Sequence, residues 1–455
     1  MPTTDCLPQV RLDFHPTRAV DANFDLPELS SDAGALLLRQ VDDRLGLSAL
    51  IAGCLVDRRD PRRVLHTRLE QVRQRVFQIA LGYEDGNDAG TLRHDRLLKV
   101  ACDLLPEEPR GLSSQPSLSR LEHAVTAREV VGLQRALEKA YVDELPSDTK
   151  VVVLDIDTTD DPTHGQQPLT FFNAHYDTTM YFPVLLFDDE GRLVSVRLRP
   201  GNAGNYRYAA PMLERVIRLL KARFPSVQVV VRGDGGFCAP RLLDRLDALA
   251  MELGDVEYVL GIKKNAVLER LAAEAMTIAS ARYHEARRPV RVFTSFLYRA
   301  RSWSRDRYVV AKAEHLPLGP NPRFIVSSFD HVPPHLLYER GYCGRGQSEN
   351  YIKDFKNALH GGRLSCTTYV ANAFRLLVHA AAYRLLFALR THVAHVAPAL
   401  ANAQFDTMRL RLLKVAARVV QTVRRVVISL PSAFPLRNVF RALLVSLQAA
   451  PVPVP

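Results

Sequence analysis

The sequence has no long apolar run. Its most apolar stretch, roughly 374–389, is broken by Arg375 and Arg384 and is shorter than the ~20 apolar residues a bilayer crossing needs. No membrane partner is expected. The start, MPTTDCLPQVRLDF, lacks the basic-then-apolar layout of a secretory signal. Cysteine is scarce: Cys6, Cys54, Cys102, Cys238, Cys343 and Cys366 are scattered, with no C-x-x-C pair. That excludes a zinc ribbon or a disulfide framework and fits a reducing cytoplasm. There is no internal repeat and no low-complexity tract. Acid is nearly missing from one region. Between Phe355 and Pro455, thirteen Lys/Arg face the single acid Asp406, a net of +12 against +11 for the whole chain. The basic excess therefore lies entirely in the C-terminal fifth, which would draw a polyanion by long-range attraction.

What is present is ordinary for a folded protein: 47% hydrophobic and 24% charged residues in 455, enough for two or three domains. Residues 1 to about 30 read as an extended arm. Ser31-Asp32 is a plausible helix cap, and Asp60-Pro61 is a second start signal. Val64, Leu65, Leu69, Val72, Val76 and Ile79 then recur at helical spacing up to Gly82. Further helices are predicted near 91–104 and 117–144. From about 150 the texture changes. KVVVLDID, LTFFNAHYD, YFPVLLFD and GRLVSVRLRPG read as strands, and APMLERVIRLLKARF, VQVVVRGDGGF, PRLLDRLDALAMEL and VEYVLGIKK alternate helix and strand. VRVFTSFLYRA, RYVVAKAEHL and RFIVSSFD add antiparallel strands, and helical character returns after Pro333-Pro334.

Two acids end buried strands: Asp157 after VVVLDI and Asp234 after VVVRG. Asp155 and Asp157 leave their strand on the same face, so either could serve a site there. In YCGRGQSENYIKDFK, a helix from Arg345 would align Arg345, Glu349, Ile352 and Lys356, an acid between two bases. Such a set suits phosphodiester cleavage. Two Mg²⁺ ions about 3.5–4 Å apart stabilise the attacking and leaving oxygens, and hard Mg²⁺ prefers carboxylate oxygens. Arg and Lys beside them hold phosphates.

The pattern Tyr342-x2-Arg345-x3-Glu349-x6-Lys356 resembles, without a gap, the Y-R-E-K signature of a large group of DDE transposases from bacterial insertion sequences. LDIDTTDDPTHG at 154–165 and RGDGGF at 232–237 are similar to that group's two aspartate motifs. QRVFQIALGYEDGNDAGTLRHD at 74–95 and LHGGRLSCTTYVANAFRL at 359–376 extend the likeness over nearly the whole chain. The resemblance implies an α/β fold with an RNase H-like core, a mixed sheet flanked by helices. Its parts would be a helical N-terminal domain recognising end DNA (1–147), the first part of the core (148–267), a β-rich insertion (268–332), the second part of the core (333–375) and a basic helical C-terminal region (376–455). It implies cut-and-paste transposition: metal-dependent nicking at transposon ends, then strand transfer by a 3′-hydroxyl. Asp157, Asp234 and Glu349 would be the catalytic metal ligands for two Mg²⁺, with Mn²⁺ able to substitute. Tyr342, Arg345, Lys353 and Lys356 would bind DNA phosphates. Partners would be terminal inverted repeats and target DNA, with a homodimer on paired ends, in the bacterial cytoplasm at the nucleoid.

Some residues keep two readings. Asp157 is chosen as first ligand because Thr158-Thr159 follow it, with Asp155 the alternative. Trp303 either stacks on an extruded base, as an aromatic residue does in related enzymes, or packs within a strand. His164 is a site neighbour or a turn residue. Arg62, Arg63, Arg68, Arg73 and Arg75 either contact the terminal repeat or form a solvated helix face with Glu70. The run MRLRLLKVAARVVQTVRRVVISL reads as an amphipathic basic helix for DNA, a membrane surface or a dimer partner, its context favouring DNA or a dimer. A stand-alone nuclease on the same fold and a DNA-binding derivative of a transposase are the competing functions.

Overall fold

The computed structural model describes residues 10–163 and 165–448; Cys6 and His164 lie outside the described residues. The N-terminal region is mainly helical, with helix starts that differ from the predicted ones. The Asp60-Pro61 signal makes only a 3-10 turn, Pro61–Arg63. Helix α2 (Arg68–Leu81), which follows α1 (Ala35–Leu45), begins instead at a reciprocal cap. The Glu70 backbone N–H donates to Thr67 Oγ1 (3.1 Å), and the Thr67 N–H donates to the Glu70 carboxylate (2.7 Å). Two satisfied donors outweigh one. A second such cap, Thr126 with Glu129, divides the predicted 117–144 helix into α3 (Gln115–Ala124) and α4 (Ala127–Glu144). Within the expected arm, Val10–Leu12 and Val20–Ala22 form a small hairpin. Asp32 does not cap a helix. It is buried and accepts from Tyr83 Oη (2.8 Å) and Lys414 Nζ (2.6 Å), tying the two ends of the chain together.

The centre is one mixed sheet of nine strands. Eight of them are β1 (Val151–Thr158), β2 (Val184–Asp188), β3 (Leu193–Arg197), β4 (Gln228–Gly233), β5 (Val256–Ile262), β6 (Val290–Tyr298), β7 (Arg307–Leu316) and β8 (Arg323–Ser327). The ninth, Gly319–Pro320, pairs with the end of β7. The order is β6-β7-β8-β5-β4-β1-β2-β3. Only β1–β4 and β4–β5 are parallel; the other pairings are antiparallel. Helices α5 (Ala209–Arg223) and α6 (Pro240–Leu253) follow β3 and β4 as crossovers.

Period-two alternation sorts the two faces. Val152, Leu154 and Ile156 of β1, with Val229 and Val231 of β4, join the core under α5 and α6. Asp155, Asp157 and Arg232 therefore point to the other face. On that face Leu185 and Phe187 of β2 pack on α8 (Tyr369–Val396), which follows α7 (Gln347–Lys353) and runs through the N-terminal bundle.

Two expectations change. The strands expected in a separate insertion extend the central sheet, because β8 pairs with β5 over Val259–Ile262. The C-terminal region is not all helical. After a π-helical turn at Arg409–Leu413, Arg418–Gln421 and Val426–Ser429 form an antiparallel hairpin, and only then does α9 (Arg437–Gln448) begin. β-branched Val and Ile favour the pleated surface, and the basic pair Arg424-Arg425 falls in the turn. No helix among the described residues is long and apolar enough to cross a membrane.

The hairpin docks through Ala417, bridged to Ser30, beside a close approach at Gly34. A Cβ on Gly34 would lie 2.3 Å from Leu413 Cα, a backbone atom that cannot rotate away. Gly34→Ala should therefore destabilise by about 1–3 kcal/mol in urea titration. A variant as stable as wild type would contradict this docking.

Candidate active site at the ends of two parallel strands

The β1–β4 ladder pairs Asp155 with Arg232 and Ile156 with Gly233. One residue further, past the last pair, stand Asp157 and Asp234, on strands about 4.8 Å apart. Parallel register thus brings together two acids separated by 77 residues of chain.

The four acids that follow one another in LDIDTTDD have four different surroundings. Asp155 is fully buried and held bidentately by Arg232, from Nε at 2.6 Å and from Nη2 at 2.7 Å. That pairing occupies both oxygens of Asp155. Asp157 Oδ1 accepts from the Thr158 N–H (2.8 Å), and Oδ2 accepts from Arg345 Nη1 (3.0 Å) and Ser348 Oγ (3.4 Å). Asp160 pairs with Lys356 Nζ at 2.6 Å. Asp161 is buried with neither carboxyl oxygen hydrogen-bonded, and burial pushes it up to about 8, which favours the protonated form.

Glu349 approaches through an irregular helical segment. A π-helical stretch, Leu337–Tyr342, leads into a 3-10 turn, Cys343–Gly346, then α7, then a second π-helical stretch, Asp354–Ala358. The predicted straight stripe therefore twists. Arg345 still reaches Glu349 (Nη2 to Oε1 3.8 Å), whereas Lys356 turns to Asp160. The segment is fixed from below: Arg232 Nη1 donates to the Gly341 carbonyl (3.2 Å). A Cβ on Gly344 would lie 2.5 Å from the same nitrogen. One buried arginine thus links both acid-bearing strands to the turn that carries Arg345 and Glu349.

Burial pushes the Asp157 carboxyl up to about 6; Arg345 and the Thr158 N–H pull it down, and Asp234 and Glu349 push it up. Burial also opposes the Arg345 charge, but Asp157, Tyr342, Asp234 and Glu349 outweigh it and raise its pKa. The Tyr342 hydroxyl is raised, by burial first. These five groups share one electrostatic neighbourhood. Beside Asp234, whose Oδ1 accepts from the Gly236 N–H (2.8 Å), a cavity of about 380 Å³ is lined by Tyr342, Lys263, Lys264 and Arg323.

Lys353 is exposed and makes no ion pair among the described residues. Trp303 is not brought to the site. It lies in the turn between β6 and β7 rather than in a strand, 6% exposed, edge-on to Tyr298, with the Arg307 guanidinium 5.8 Å over its ring. Arg73 and Arg75 belong to neither of their two readings: both are buried, paired with Asp42 (3.1 Å) and Glu122 (3.3 Å). The sequence reading missed Ser348, Lys263, Lys264, Arg323 and Arg232. Arg232 was detectable, since D-x-D and R-x-D on parallel strands in register pair the first residue of each.

Among the described residues no three acidic, histidine or cysteine side chains form a ready set of metal ligands. Arg345 supplies the positive charge between Asp157 and Glu349. The donor chemistry nevertheless fits a hard divalent ion: Asp157, Asp234 and Glu349 offer only carboxylate oxygens.

Acids at the ends of adjacent central strands, faced by an irregular helical segment bearing a third acid and an arginine, define an α/β protein with a carboxylate site at its strand ends. The chain belongs to the family Transposase DDE domain group 1, which matches residues 13–452. In structure it is similar to the piggyBac transposase of a cryo-EM synaptic complex with hairpin DNA, at 11% identity and a TM-score of 0.42, covering 92% of this chain and 81% of that one. No curated protein matches the chain in sequence.

Removing one partner of the Asp155–Arg232 pair leaves a buried charge uncompensated. Arg232→Met should cost about 3–5 kcal/mol in denaturant unfolding, and Arg232→Met with Asp155→Leu clearly less. Equal costs for the single and double variants would show that the pair is not coupled. Asp157 titrates in the opposite sense to a salt-bridged acid. Its folded pKa is raised, so its contribution is fully present below its unfolded value and is lost as pH rises through about 6. Asp157→Asn should therefore melt about 1–3 °C above wild type at pH 8 and together with it at low pH. A lower melting temperature at pH 8 would mean that Arg345, not burial, dominates.

Proposed function

We propose that the protein is a DNA transposase that cuts at the ends of its element and joins the freed 3′ ends to target DNA. The observation that supports this reading is that, in a chain of the DDE family, Asp157 and Asp234 end neighbouring strands and Arg345 pairs with both Asp157 and Glu349. The strand order β3-β2-β1-β4-β5, with β2 alone running against the other four, supports an RNase H-like core.

Asp157, Asp234 and Glu349 would hold two Mg²⁺ ions, or Mn²⁺. When bound, the ions stabilise charge on the attacking and leaving oxygens. The rest is done by the chain. Arg345 lets go of Asp157 and Glu349 and turns its fork to the scissile phosphate. Lys263, Lys264 and Arg323 hold backbone phosphates in the cavity beside Asp234, and Tyr342 closes its wall. Lys356, anchored on Asp160, and exposed Lys353 extend the basic surface along the DNA. Arg232 keeps the third acid in reach of the other two. Asp157 must be ionised to serve, so activity should fall as pH drops below about 6. A homodimer would pair the two terminal inverted repeats, at the nucleoid of a bacterial cytoplasm, and the helical N-terminal region would read the ends.

The test is cleavage and strand transfer with DNA spanning the borders of the element. Asp234→Ala and Glu349→Ala should each lose about a thousandfold or more of cleavage while keeping DNA binding, and Ca²⁺ should support binding better than cutting. Full activity in either variant defeats the assignment. Cleavage without joining to a target plasmid would indicate a nuclease instead.

A further inference from the structure

The first turn of α2, the 3-10 turn before it, Arg93 and α3 enclose an open cleft of about 700 Å³. Arg59, Arg63, Arg68, Arg93, Arg120 and His66 line it, and no acidic side chain does. The two arginines nearest an acid are partly neutralised: Asp57 lies 2.6 Å from Arg59 and 3.6 Å from Arg68. Arg63 is 88% exposed and only loosely paired, 3.9 Å from Asp60. Arg120 donates to Ser117 Oγ (3.2 Å) and, like Arg93, makes no ion pair among the described residues. Arg93 Nε and Arg68 Nε are buried without a hydrogen-bond partner. His66 is 9% exposed, and its Nδ1 has no partner. Burial, then the field of Arg110 and Arg93, holds its imidazole below the ordinary range. Clustered guanidinium groups repel one another, and a concave wall of one sign focuses the field on whatever enters.

We propose that this cleft binds the phosphate backbone of one strand of duplex DNA, an inference that rests on the DNA-processing reading above and gives that reading a second, non-catalytic contact. The cations come from three separate stretches of chain, which suits successive phosphates along a strand better than one small anion. The cleft is also tied to the cutting site. His123, at the end of α3, is hydrogen-bonded through Nε2 to Thr367 Oγ1 (3.0 Å), in the loop between the Glu349 segment and α8. Arg363 of that loop pairs with Glu84 (2.8 Å) and Asp85 (2.7 Å) of the N-terminal region. DNA held in the cleft is therefore held at a fixed offset from Asp157 and Asp234.

The experiment is fluorescence anisotropy of a labelled random-sequence duplex with the full-length protein across a salt series. Wild type is compared with Arg93→Ala/Arg120→Ala, Arg93→Lys/Arg120→Lys, Arg63→Ala and Asp234→Ala. The alanine pair should weaken binding about tenfold or more and flatten the salt slope by about two; Arg63→Ala should flatten it by about one. The lysine pair should keep the slope, and Asp234→Ala should keep both slope and affinity. Arg63 is exposed, so its variant keeps the test open if the alanine pair fails to fold. Unchanged affinity and slope in Arg63→Ala and in a folded alanine pair overturn the proposal. So does displacement of the duplex from wild type by millimolar inorganic phosphate at constant ionic strength, which would mark a small-anion site. A protein that cuts DNA while these variants bind like wild type removes the cleft and leaves the transposase reading. Binding through the cleft without any cutting removes the transposase reading and leaves the cleft.

Discussion

The ion pair between Asp155 and Arg232 is the constraint on which the site depends. It lies between neighbouring parallel strands, with the carboxylate fully buried and the guanidinium nearly so. A buried pair of this kind adds little net stability compared with apolar packing, but it is costly to break and therefore specifies register. Slippage of β1 against β4 by one residue would turn both acids into the opposite core and separate Asp157 from Asp234. The same arginine reaches up to the Gly341 carbonyl. Strand register and helix position are thus set by one side chain.

Around that anchor the site stores unfavourable charge. Asp157 is half-buried near two other acids and rises to about 6, while Arg345 offsets only part of the cost. Stability and function pull in different directions here, as they commonly do where a binding site is prepared before its ligand arrives. The neighbouring acids are managed otherwise: Asp160 takes Lys356, and burial favours the protonated form of Asp161. The cations of the cavity beside Asp234 and of the cleft at α2 and α3 line separate concave surfaces.

Much of the site was legible in the sequence because its chemistry is carried by short, local patterns. VVVLDID and VVVRGD announce buried strands ending in acid, and Tyr342, Arg345, Glu349 and Lys356 keep a recognisable spacing. The central strands and α5 and α6 were readable for the same reason, period two against period 3.6. What failed was decided by contacts distant in sequence. Asp32 looks like a cap and instead bonds Lys414; Arg73 and Arg75 look like a solvated face and instead meet Asp42 and Glu122. The Arg418–Ser429 run has the composition of a basic amphipathic helix, but its Val-rich halves pair as a hairpin against the N-terminal segment. That strands β6 to β8 join the central sheet was not legible, because nothing local reveals that β8 pairs along the edge of β5.

The central claim is that Asp157, Asp234 and Glu349 grip the same divalent ions once Arg345 moves aside. Anomalous diffraction from crystals of the protein with DNA and Mn²⁺ tests it most directly. The account predicts Mn²⁺ with oxygens of all three carboxylates among its ligands at ~2.1–2.2 Å and the Arg345 guanidinium turned to phosphate. Manganese bound elsewhere, with Arg345 still bridging Asp157 and Glu349 against bound DNA, would contradict it.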